Sequence, residues 1–167
     1  RDAKIPCEVP GRGDLPGRIE AVLAVVYLVF SEGYAATGGD ALVRAELCAE
    51  AIRLQRMICG VLPEEPEALG LLALMLFHDA RRATRIDPNG DFVPLEEQDR
   101  TRWNEAQIDD ATAVLDRAIA LRRTGPYQLQ AAIAGLHAQA RRAEDTDWRQ
   151  IALLYFGLLR RSPSGVV

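Results

Sequence analysis

His78 and His137 are the two histidines of this 167-residue chain, and Cys7, Cys48 and Cys59 are its three cysteines. Imidazoles and thiolates could together hold zinc, but such a site needs three or four ligands with a paired spacing that these five residues lack. Asp87, Asn89 and Asp91 open like a calcium loop. The sixth position, however, holds Phe92 where the sharp turn needs glycine, and the twelfth holds Gln98 where a bidentate glutamate belongs. Arg12-Gly13-Asp14 matches a cell-adhesion tripeptide by chance, inside a stretch rich in Pro and Gly. No nucleophile elbow, phosphate-cradling loop, dinucleotide fingerprint or HExxH helix occurs. The histidines therefore read as hydrogen-bonded structural residues. The expectation is a binding module without catalytic, cofactor or metal residues.

Composition narrows the class. Apolar residues make up 49% and charged residues 26%, the balance of a globular chain long enough to bury a core without disulfides or metals. The net charge of −4 argues against a nucleic-acid surface, which needs clustered Lys and Arg. Basic residues here sit beside acids: from Arg81 to Arg102, five arginines face five carboxylates, Asp87, Asp91, Glu96, Glu97 and Asp99. Lys4 is the only lysine among 20 basic residues, the codon bias of a GC-rich bacterial genome. An odd number of cysteines, two of them in apolar segments, reads as free thiols in a reducing cytoplasm. The longest apolar run, Ala21 to Phe30, is too short for a bilayer, which takes about 20 residues, and nothing reads as a signal peptide.

These side chains must be carried by helices, and the spacing predicts about six. The first starts near Asp14 and Pro16, runs Ile19, Val22, Leu23, Val26, Tyr27 and Phe30 along one stripe, and ends at Gly33. Ala24, Val25, Leu28 and Val29 make its other face apolar too, which predicts that it is the central helix. The second is capped by Asp40 and spans 41–60, with Leu42, Ala45, Ala49, Ile52 and Cys59 inward. The third spans 66–86. Asp87-Pro88-Asn89-Gly90 makes a turn, which Ile86 and Phe92-Val93 flank as a small hairpin. The fourth has a loose first turn over Glu96–Trp103 and then buries Ala111, Val114, Leu115 and Ala118. Gly125-Pro126 separates it from the fifth, Thr146 caps the sixth, and Ser162-Pro163-Ser164 ends it. The last two helices form a hairpin of tetratricopeptide length, about 34 residues. A lone stacking unit leaves an apolar face uncovered, so further helices are expected after Val167.

Aromatic and amide side chains gather where helices start or stop: Ser31-Glu32-Gly33-Tyr34, Glu96 to Trp103, and Pro126 to Gln130. Such residues suit recognition, since they combine apolar area with a polar handle. Trp103, Tyr127 and Gln128 are expected to be exposed there, so that Gln128→Ala costs within about 0.5 kcal/mol. A ligand pocket would take Tyr34, Trp103, Tyr127 and His137.

These segments also carry a family resemblance. Phe30–Tyr34, Leu42–Leu54, Leu74–Arg82, Leu95–Arg100, Gly125–Ala134 and Asp145–Trp148 together resemble the C-terminal extension of extracytoplasmic-function RNA polymerase sigma factors of the group encoded beside DGPF-motif (YCII-related) proteins. The resemblance implies an all-α fold of helical hairpins, tetratricopeptide-like toward its C-terminal end. It divides the chain into a linker from sigma region 4 (1–14), a helical extension domain (15–162) and the start of a continuation (163–167). It implies a regulatory or assembly role in transcription initiation. The partners would be sigma regions 2 and 4 of the same chain, the polymerase core and a DGPF-family protein. Promoter contacts would belong to the upstream regions. Candidate interaction residues are Glu32, Tyr34, His78, Arg81, Asp99, Arg100, Trp103, Tyr127, Gln128, Gln130, His137 and Trp148. The acidic balance predicts that the isolated chain binds a −35 promoter element no better than scrambled DNA. A gel-shift titration over a range of salt checks this, and a sequence-dependent shift would contradict it.

Overall fold

The computed structural model describes residues 15–34 and 41–161, with side chains from 17–34 and 45–161. Six α-helices follow one another: α1 (Leu15–Tyr34), α2 (Ala41–Val61), α3 (Pro66–Ala80), α4 (Glu105–Ala120), α5 (Pro126–Gln139) and α6 (Trp148–Arg161). Among the described residues there is no sheet, only an antiparallel bridge between Ile86 and Phe92. The expected caps at Asp14 and Asp40, the stop at Ser162–Ser164 and the thiol of Cys7 lie outside the described residues.

The centre of the molecule is α3, not α1. Every residue from Ala68 to Phe77 is buried. A helix that is apolar all round must be covered all round, and α1, α2, α4 and α5 all pack against it. α1 turns only Leu23, Val26 and Phe30 fully inward and leaves Val22, Val25 and Leu28 48%, 59% and 67% exposed. Its second apolar face is real, but the described protein does not cover it.

α2 also differs from its expected register. Cys48, Ala51, Gln55 and Cys59 are its buried residues, whereas Ala49 is exposed. The inward glutamine is what hides the stripe in the sequence. Its Nε2 donates to the Ala68 carbonyl at 2.8 Å, which satisfies half of its amide, while Oε1 is buried with no partner among the described residues. Cys48 and Cys59 are free, and burial pushes both thiols up to about 11.

α3 stops at Ala80, six residues short of the expected end. Arg81 leaves helical geometry, and a 3-10 turn follows over Arg82–Thr84. The freed Ala80 carbonyl accepts the Asn104 N–H at 2.9 Å, which joins the end of α3 to the start of α4. Between them the small hairpin forms as expected: Asp87 N–H donates to Asp91 O at 2.9 Å and Val93 N–H to Arg85 O at 2.8 Å. Gly90 supplies the positive φ of its turn, at 91°. Arg100–Arg102 is a separate 3-10 turn rather than the first turn of α4, which Asn104 caps by accepting from Gln107 N. α6 begins behind Asp147, whose Oδ1 accepts from Gln150 N at 2.9 Å. Thr146, the expected cap, is buried one residue earlier and its hydroxyl has no partner among the described residues.

α5 starts without a side-chain cap of its own. Glu67, in the first turn of α3, caps it across space: its carboxylate accepts from Tyr127 N at 2.9 Å and Gln128 N at 3.3 Å. Orphan N–H groups at a helix start favour an anion. Gln128 completes this joint. Its Nε2 reaches Glu67 Oε1 at 3.1 Å and the Arg123 carbonyl at 2.8 Å, and it is 3% exposed. Far from being a surface residue, it fills the crossing of α3 and α5, and its replacement costs more than an exposed position would.

That crossing is close because Gly70 lacks a side chain. A Cβ there would stand 2.8 Å from the Gln128 backbone nitrogen. Gly70→Ala is expected to lower stability by about 1–3 kcal/mol through overpacking. Gly60→Ala, which meets nothing within 4 Å, should raise it by a few tenths of a kcal/mol through helix propensity. Urea unfolding of both variants measures the contrast.

Candidate functional site

A cavity of about 300 Å³ opens between α3, α5 and the segment before α4. α3 contributes Leu74, Phe77 and His78, with Arg81 just past its end; α5 contributes Gln130, Ile133, Ala134, His137 and Ala138. Leu95 and Trp103 form a third wall, and Tyr27 of α1 and Tyr155 of α6 close the sides. The periodicity of α3 and α5 creates this convergence, since residues three or four apart share a helix face.

A buried polar network holds the wall containing Trp103, which is 5% exposed. Its indole Nε1 donates to Thr84 Oγ1 at 2.9 Å, and that hydroxyl donates to the Arg81 carbonyl at 2.9 Å. Gln98 Oε1 lies 3.3 Å from the same hydroxyl, and Gln98 Nε2 donates to Val93 O at 2.9 Å. Trp103 is thus fastened to the hairpin segment, and it is buried rather than exposed because its N–H finds a partner inside. Arg100 lies over its indole at 4.8 Å. The same guanidinium donates to the carbonyls of His137 and Ala140, the latter at 2.8 Å, and so finishes the C-terminal end of α5.

The chemistry of the cavity lies with His78 and Arg81. Arg81 Nη2 is 3.2 Å from His78 Nδ1. A guanidinium only donates, so Nδ1 is the acceptor and the imidazole proton sits on Nε2. Burial, with repulsion from Arg81, Arg85 and His137 added, lowers His78 to about 3. His137 is also lowered, by burial first and then by Arg100 and Arg81. Both imidazoles are therefore neutral around pH 7. Arg81 has no carboxylate in ion-pair range among the described residues.

The sequence candidates divide into those that meet here and those that do not. His78, Arg81, Trp103, Gln130 and His137 line the cavity. Tyr34 stands behind His78, ring to ring at 5.0 Å, with Arg85 over its other neighbourhood at 3.5 Å from its centroid. Trp148 packs edge-on against His137 at 5.3 Å. Tyr127 reaches the cavity only through Tyr27, whose ring it meets edge-on at 5.7 Å. Gln128 belongs to the Glu67 joint, Glu32 is exposed on α1, and exposed Asp99 caps the 3-10 turn by accepting from Thr101 N. The expected pocket of Tyr34, Trp103, Tyr127 and His137 thus keeps two of its four members at the surface of the cavity. Tyr27, Phe77 and Ile133 belong to it as well, although their spacing marks them only as core. Among the described residues no three His, Cys, Asp or Glu side chains gather as metal ligands. The Asp87 carboxylate is already taken up by the backbone N–H groups of Asn89 and Asp91, each at 2.8 Å.

A second concavity differs in kind. It is a groove of about 450 Å³ between α1 and α2, lined by Ile19, Val22, Leu23, Met57, Ile58, Val61 and Leu62, with Arg18 at its edge. No helix among the described residues is long and apolar enough to cross a membrane.

A sequence profile described as a family of unknown function (DUF6596) matches residues 18–119. The chain belongs to that family. The match covers most of α1, all of α2 and α3 and nearly all of α4, so the α5 wall of the cavity lies beyond it. The chain is also 51% identical over 165 residues to an uncharacterized protein of Rhizobium meliloti (strain 1021). That alignment takes in 99% of this chain but 39% of the relative, so the chain spans about two fifths of the length of the curated relative it matches. No solved structure matches.

His78 gives the site a pH signature. The folded chain takes a proton on His78 only near pH 3, whereas the unfolded chain takes it near 6.5. Between those values the unfolded state binds the extra proton, so this contribution to stability is complete above about pH 6.5 and falls as pH drops toward 3. Between pH 7 and pH 5 the loss should be about 2 kcal/mol. His78→Gln should remove that part of the slope, as urea titrations of both proteins at the two pH values will measure.

Proposed function

We propose that this chain is the auxiliary C-terminal domain of an extracytoplasmic-function RNA polymerase sigma factor, and that it modulates transcription initiation through protein contacts in the cytoplasm. It is not an enzyme. Its partners are sigma regions 2 and 4 of the same chain and the polymerase core, with a DGPF-family protein as a further partner. DNA contacts belong to the parent protein's other regions.

The observation that carries this reading is the groove between α1 and α2. Val22, Met57 and Val61 are 48%, 56% and 79% exposed around an apolar concavity. Contiguous exposed apolar surface of this kind marks a protein interaction site. The resemblance of the six segments supplies the biological setting, and a relative more than twice as long supplies room for the partner regions.

A helical sensing domain is the second reading, favoured by the cavity itself. Three of the resembling segments, Leu74–Arg82, Leu95–Arg100 and Gly125–Ala134, are distant in sequence yet supply its walls. Mixed polar and apolar concavity suits a small molecule, where a protein partner needs area.

In promoter-directed transcription by the full-length parent and polymerase core, removing this segment should change transcript yield. Val22→Asp and Met57→Glu, both at exposed positions, should reproduce the change while the melting temperature stays within a few degrees. Unchanged yield from the truncated parent would overturn the proposal. Unchanged yield from the two point variants would remove the groove from it.

A further inference from the structure

We propose that the cavity between α3 and α5 binds a small organic acid, its carboxylate on Arg81 and its apolar body against Phe77, Trp103 and Ile133. This rests on the sensing reading of the same site and names its ligand class.

Arg81 places a permanent positive charge on the wall of the cavity. No aspartate or glutamate shares that wall; among the described residues the Arg81 guanidinium bonds to His78 Nδ1, and the Tyr34 hydroxyl lies within its reach. That bond aims the planar group without neutralising it, because the imidazole is uncharged. Its other donors are left for a ligand, and a carboxylate accepts two parallel bonds from a guanidinium. The nearby Arg85 and Arg100 add to the positive potential but do not line the cavity. Arg85 lies against Tyr34 and donates to its carbonyl, while Arg100 is occupied by the end of α5. Arg81 is half-buried, and the lower dielectric of a partly enclosed cavity strengthens its attraction for an anion over that in open water.

The remainder of the cavity sets what the anion is attached to. Phe77, Ile133 and Trp103 are nearly fully buried yet line the space. They offer an apolar ring or branched chain a dry surface. Gln130 and the His137 ring have no side-chain hydrogen bond to the described protein and supply polar contacts at the opposite, α5 wall. A single guanidinium on the wall matches one negative charge better than the two of a phosphate monoester. About 300 Å³ lies at the small end of ligand sites. An aromatic or branched monocarboxylate is the class that satisfies charge, shape and size together.

The test uses the whole chain with Trp148→Phe, so that emission reports Trp103. Isovalerate, phenylacetate and indole-3-acetate are titrated in constant salt, the indole acid being followed by calorimetry because it fluoresces itself. Phenylacetamide and phenyl phosphate serve as the neutral and dianionic comparisons. At least one acid should give saturable binding, with phenylacetamide and phenyl phosphate weaker by about tenfold or more, the loss expected for one charge-assisted contact. Arg81→Gln should lose the preference for the acid, and Arg81→Lys, which keeps the charge without the fork, should retain part of it. Melting curves of both variants show that the fold is kept; if the glutamine variant does not fold, the lysine variant alone decides. Equal binding of acid and amide, or acid binding unaffected by the folded Arg81 variants, overturns the anion inference while sensing stands. Tighter binding of phenyl phosphate overturns the monocarboxylate class. Saturable binding by none of the probes overturns the inference and the sensing reading of this cavity together.

Discussion

The architecture follows from one constraint: α3 is apolar on every side and must be hidden on every side. Residues 68–77 carry no charge, and all ten are buried. Burying an aliphatic side chain is worth roughly 1.5–3 kcal/mol, so leaving any face of this helix in water would outweigh most surface contacts. Neighbours on all sides supply the cover. Where α5 crosses, Gly70 lets the backbones approach and the Glu67 carboxylate meets the open end of the partner helix. Where α3 emerges from its cover, at His78 and Arg81, polar side chains take over and the cavity begins.

Periodicity made the helices legible, together with the turn residues between them. Asp87–Gly90, Gly125-Pro126 and the bridge around Ile86 lie where the residues indicate. What failed was the ranking of faces. α1 has as many apolar residues as a central helix, yet Val22, Val25 and Leu28 meet solvent, because periodicity reports that a face is apolar and not which element covers it. On α2, Gln55 broke the apolar count although it lies inside, paired to a carbonyl. Thr146 is the cap expected from the sequence, but Asp147, the stronger cap by residue type, holds that place in the structure.

The site was half legible for the same reason. His78, Gln130 and His137 stand out as polar residues in otherwise plain helices, Arg81 and Trp103 stand beside helix ends, and all five converge. Tyr27, Phe77 and Ile133 look identical to core residues because they are core residues with one side facing a space. The links that fix the Trp103 wall are not readable from local sequence: Thr84 meets Gln98 14 positions away and the Trp103 indole 19 positions away. Gln128 was conspicuous for the opposite reason, since a polar residue at a helix start looks like surface until the neighbouring helix is in place.

The way α5 begins has a consequence for the order of assembly. Its first turn has a proline, no side-chain cap of its own, and its N–H groups answer to a carboxylate sixty residues earlier. A helix of 14 residues is marginal alone in water, so α5 gains its start only once α3 is present and in register. α3, only one residue longer and apolar on the side that α5 covers, depends on α5 in turn, so the two helices complete each other. The α5 wall of the cavity is set by the same joint, so the cavity exists only once the Glu67 carboxylate and the start of α5 have met.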